Sequence, residues 1–120
     1  MATIVQVLIG IVAFLHVFFF VLEAFLWNTP YGRKTFRLTP EFAKQSAVLA
    51  ANQGVYNLFL AAGLVWALVL GATTFGWPIA VFFLSCVIVA GVVGGITSNP
   101  RIFVIQGVPA IAALGLGLAA

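Results

Sequence analysis

The side chains with chemistry to offer fall in two stretches. Ala50-Ala51-Asn52-Gln53-Gly54-Val55-Tyr56-Asn57 sets three carboxamides and a phenol within positions 52 to 57. Upstream, His16 and Glu23 stand seven residues apart, so a helix carries them on one face, two turns apart. All six lie in sequence that otherwise reads as lipid-soluble helix. Hydrocarbon cannot hydrogen-bond them, so each needs a protein, water or ligand partner. A carboxylate inside a bilayer costs ~2.5–3.5 kcal/mol or more and is a functional candidate by default. His16 or Tyr56 could exchange a proton with a bound molecule while the carboxamides orient it. One His and one nearby Glu leave a metal-ligand set incomplete, and no nucleophile–base arrangement or phosphate-cradling glycine loop is present. No catalytic residue or cofactor can be named.

The elements that position these groups follow from composition. The 120 residues are 64% apolar and 6% charged, with no Asp, against ~45–50% and ~25% in soluble domains. Seven formal charges cannot coat a soluble globule of this size. The chain is therefore expected to form an all-α, four-transmembrane-helix bundle in a single membrane domain, residues 1–120. The helices are predicted at about 3–27, 40–70, 77–97 and 101–119. Met1 to Leu26 lacks a basic n-region and a small-residue cleavage motif, so it reads as a retained span. Trp27 and Tyr31 supply an interfacial aromatic belt, Asn28-Thr29-Pro30-Tyr31-Gly32 breaks the first helix, and Arg33 to Arg37 form a basic connector. Thr39-Pro40-Glu41 combines a hydroxyl N-cap, proline at N1 and an acid favoured by the helix dipole. Gly71 to Gly76 make a short turn, Trp77-Pro78 opens the third helix, and Pro109 should kink the fourth. Gly91 and Gly95 form a small-xxx-small pair for close packing. Cys86 reads as a buried, inert thiol.

Net charge is +3, but the basic residues cluster between hydrophobic runs, which points to anionic lipid headgroups and away from nucleic acid. Arg33, Lys34, Arg37, Lys44 and Arg101 all fall in the first and third connections. The positive-inside rule then places both termini on the non-cytoplasmic side. Counting from Trp27 at ~1.5 Å per residue sets Glu23 roughly 6 Å and His16 roughly 16 Å inside the interface. If the second helix enters lipid near Ser46, Asn52 and Gln53 lie roughly 9–10 Å deep, and Tyr56 and Asn57 roughly 15–16 Å. Glu23 should then meet Asn52 or Gln53, and His16 should meet Tyr56 or Asn57. The four helix-two positions span an arc of about 140°, so all can face the bundle. Helix four adds Gln106 and Arg101, with Arg101 placed to pair with Glu23. The expected ligand-binding set is His16, Glu23, Asn52, Gln53, Tyr56, Asn57 and Arg101, with no metal.

Over Trp27-Asn28-Thr29-Pro30-Tyr31-Gly32-Arg33-Lys34, Leu38-Thr39-Pro40-Glu41-Phe42 and Ala50 through Gly63, the chain resembles the bacterial integral-membrane family catalogued as domain of unknown function 1304. That resemblance extends over nearly the whole chain and implies a four-span protein of the bacterial inner (plasma) membrane, with no assigned reaction. Gln53-Gly54-Val55-Tyr56-Asn57-Leu58-Phe59, with Asn99-Pro100-Arg101 opening a final helix, is more faintly similar to the superfamily of membrane-associated proteins in eicosanoid and glutathione metabolism. Its members are four-helix trimers that bind glutathione or lipids between subunits, but Tyr56 here takes the place of that motif's glutamate. The functions to weigh are binding of an apolar or amphiphilic, lipid-like small molecule at the polar site, proton-coupled small-molecule transport, a structural or assembly role, and glutathione- or lipid-dependent enzymology. A homo-oligomer is expected.

Overall fold

The computed structural model describes residues 1–120 and contains helices without strands. The elements are α1 (Thr3–Ala24), α2 (Pro30–Phe36), α3 (Pro40–Leu70), α4 (Gly76–Thr97), α5 (Pro100–Ile102), a π-helical turn (Phe103–Gly107) and α6 (Val108–Ala119). Four segments are long and apolar enough to cross a membrane: α1, α3, α4 and the run from Pro100 to Ala119. This is the all-α, four-span architecture expected from composition, and the protein is a multi-pass membrane protein.

The residues group into two compact units, Met1–Leu15 with Leu60–Ala120, and His16–Phe59. In the first, Ile9, Leu64, Leu84 and Val87 are fully buried among the small side chains Ala67, Ala80 and Ala110. A Cβ added to Gly91 would lie 3.2 Å from the Gly107 backbone nitrogen, and one on Gly95 would lie 2.8 Å from Phe103 Cβ. Small residues thus let α4 and the last span approach at backbone distance. Gly76 would bring a Cβ within 2.9 Å of Gly71 Cα, which is how the chain reverses tightly between α3 and α4. The disruption expected at Pro109 takes the form of the π-helical turn. Proline has no N–H to offer Ile105, and the ladder widens just upstream, with the Val108 N–H donating to the Phe103 carbonyl.

In the second unit α1 ends at Ala24, three residues short of the predicted Trp27, and the basic connector contains a helix of its own. Thr29 and Pro30 form the same N-cap and N1 pair as Thr39 and Pro40. The Thr29 hydroxyl accepts from the Gly32 N–H (3.2 Å) and donates to the Leu26 carbonyl (2.6 Å). Arg37, with φ 56°, closes α2 in the left-handed conformation, and the Leu38 N–H returns to the Arg33 carbonyl (2.8 Å). The Trp27 indole packs on Phe36 at 4.7 Å between ring centroids and donates to Ser46 Oγ at 2.9 Å, tying the turn after α1 to α3. Replacing Thr29 by Ala should cost ~0.5–2 kcal/mol of local stability. Amide hydrogen exchange over α2 should accelerate accordingly, and unchanged protection would remove the cap from this account.

Candidate functional site

Glu23 approaches the end of α1, yet it is only 5% exposed. Its carboxylate accepts a hydrogen bond from Asn57 Nδ2 on α3, and the Gln53 carboxamide is a second neighbour of the same group. Gly54 makes this meeting possible. A Cβ there would stand 3.2 Å from Glu23 Cβ, 3.2 Å from the Phe20 carbonyl oxygen and 3.3 Å from the Ala24 nitrogen. With hydrogen alone at that position the two helix backbones come together, and side chains one turn away reach across. His16 is fully buried on the same helix as Glu23, with its ring edge-to-face against Phe19 at 5.4 Å.

Several of the expected residues lie elsewhere. Ala43, Ala50 and Gly54 are buried, and their spacing defines the inward face of this part of α3. Asn57 falls within about 60° of Gly54 around the helix, whereas Asn52 and Tyr56 fall about 160° away. Asn52 is accordingly exposed, and Tyr56, 62% exposed, lies edge-on to Phe59 at 5.9 Å. Gln53 flanks the boundary, exposed but still beside Glu23. The 140° arc was compatible with an inward polar face; the small residues turned its far edge outward.

The levels shift as well. Asn57 was expected at the depth of His16, but it bonds Glu23, which lies ~10 Å further along α1. Ser46 meets Trp27, as their common placement at the interface implied. Trp27 stands beyond the end of α1 at Ala24, however, so the helical rise counted from it to Glu23 does not apply. Arg101 belongs to the first unit and is exposed, with its backbone N–H donating to Asn99 Oδ1 at 2.9 Å. Within its own unit the Glu23 carboxylate is met by neutral amides. Gln106 sits in the π-helical turn, and its Oε1 is buried without a hydrogen-bond partner.

The residue that sequence reasoning passed over is Gly54. Its signal was available: Ala50 and Gly54 form a small-xxx-small pair directly beside the polar run. A cavity of about 240 Å³ is lined by Met1, Ala2, Val5, Trp77, Gly117 and Ala120. An open, apolar depression runs along one face of α4 past Phe82, Ser85, Cys86 and Val89. No group of three or more His, Cys, Asp or Glu side chains gathers to hold a metal.

The family described as "Protein of unknown function (DUF1304)" matches residues 10–118. A relative in Lactococcus lactis subsp. lactis (strain IL1403), described as "Uncharacterized protein YpaA", is 30% identical over 115 residues, covering 93% of this chain and 95% of the relative. No solved structure matches the chain, so the fainter likeness to the eicosanoid and glutathione superfamily rests on its short motif alone.

Proposed function

The chain belongs to the family of protein of unknown function DUF1304, and from that premise we propose that it holds an apolar or amphiphilic small molecule at the Glu23–Gln53–Asn57 site, in the inner (plasma) membrane of its bacterium. The observation that carries this reading is a buried carboxylate in a lipid-spanning helix, met by one carboxamide inside and flanked by another that is itself exposed. Asn57 occupies one carboxylate oxygen, Oε1. A carboxylate accepts at both oxygens, so capacity remains for the hydroxyl or amine of an amphiphile arriving past Gln53. Gln53 is exposed beside the acid, so entry would be lateral, from the bilayer. The positive-inside bias supports both termini outside the cytoplasm, which puts Glu23 toward the cytoplasmic leaflet.

Mass spectrometry of the protein released from nanodiscs of native membrane tests the idea. Wild type should retain an amphiphile that Glu23→Leu and Asn57→Leu lose and that Gln106→Leu, in the other unit, keeps. The same retained molecules in all four proteins would reject it. That result would favour the second reading, a structural or assembly subunit, for which the closure of Glu23 by Asn57 within the chain is the specific support.

A further inference from the structure

The face of α3 opposite Gly54 has its own order. Phe42, Gln45, Leu49, Asn52, Tyr56 and Phe59 follow one another at spacings of three, four, three, four and three residues, and all are exposed. That is a heptad seam of two and a half repeats. One set of core positions is apolar or aromatic (Phe42, Leu49, Tyr56), and the other is carboxamide, carboxamide and phenyl (Gln45, Asn52, Phe59). Such a seam suits neither solvent nor lipid. About 16 Å of α3 exceeds the hydrocarbon thickness, and the exposed Glu41 and Lys44 mark the Pro40 end as the part that projects. Leu49 is 75% exposed, and on that projection it would face water. Asn52 and Tyr56 stand further along, where lipid leaves amide and hydroxyl groups unbonded. Moving the boundary relieves one group only by stranding another.

We propose that this face of α3 seats the same face of a second copy of the chain. Three features select a copy over another occupant. Copies inserted by one charge rule share one orientation, so their seams run parallel and in register. Heptad spacing lets equivalent residues meet as layers, Leu49 on Leu49 and Asn52 on Asn52. A carboxamide is both donor and acceptor, and the six seam residues carry no charge, so like meets like without repulsion. Asn52 then sets register in the way a buried polar residue does in coiled coils. The exposed asparagine and tyrosine that the Glu23 cluster leaves out thereby acquire partners.

Disulfide cross-linking in native membranes tests this, in a Cys86→Ser background that removes the native thiol. Leu49→Cys and Asn52→Cys should each give a band at twice the chain mass on mild oxidation, while Phe82→Cys, also exposed but on α4, should give at least tenfold less. Wild type released from nanodiscs should appear as one oligomer by native mass spectrometry, so the result does not depend on any variant folding. A wild-type monomer, with or without phospholipid attached, overturns the proposal. So does a cross-linked product containing a different protein, or equal cross-linking at Phe82→Cys.

Discussion

Asn57→Leu is expected to destabilise the protein by about 1–3 kcal/mol, the penalty for leaving a buried polar group without its partner. Asn57 Nδ2 is the hydrogen-bond donor to Glu23 Oε1, and the carboxylate stays in place when it goes. Gln53 can recover part of the loss by swinging further toward the acid, which sets the lower end of the range. Removing both partners has a different outcome. Glu23→Leu/Asn57→Leu replaces the pair by apolar groups where apolar groups are at home, and stability should return to within about 1 kcal/mol of wild type. The coupling between the two positions is thus larger than the ~0.6 kcal/mol average for hydrogen bonds between membrane helices, because an acid is dearer to strand than an amide. Reversible unfolding in bicelles, run as a double-mutant cycle, measures it. Additive effects of the two single changes would mean that the bond contributes nothing in the bilayer.

The same pair shows what could be read ahead of the coordinates and what could not. That the chain lies in lipid follows from composition, since so few charges leave no other surrounding medium, and the span number follows from its four apolar runs. That Glu23 faces protein follows from the cost of facing lipid, and it is buried. Which carboxamide it would meet did not follow. Helix geometry supplies relative angles and relative depths, but both need an origin. The angular origin lay in Ala43, Ala50 and Gly54, residues whose contribution is the absence of side-chain bulk. The depth origin lay in the end of α1 at Ala24, short of the Trp27 from which depth is counted, because the turn that follows does not rise as a helix does. The helix at Pro30–Phe36 was legible in principle. Thr29-Pro30 carries the signal recognised at Thr39-Pro40, but the arginines and lysine after it, read as charge, conceal it as structure.

Gly32→Ala should be the most damaging single methyl in the chain, costing about 3 kcal/mol or more. A Cβ at Gly32 would fall 1.9 Å from the Leu26 carbonyl oxygen and 2.8 Å from both the Leu26 carbon and the Trp27 oxygen. All three are backbone atoms, so no rotamer change relieves the overlap; the turn after α1 must separate from the first turn of α2. Separation would break the Thr29 cap, whose two hydrogen bonds span the same gap. It would also shift Trp27 from Ser46 and Phe36, and with them the junction that sets α1 against α3 near Glu23. Gly10→Ala is the matched control. Nothing lies within 4 Å of the added carbon, and replacing glycine inside a helix should stabilise by ~0.5–1 kcal/mol. Proteolysis between Asn28 and Arg37 should therefore rise sharply in Gly32→Ala and remain at the wild-type level in Gly10→Ala. Equal resistance in the two would show that this turn does not hold α2 against the end of α1.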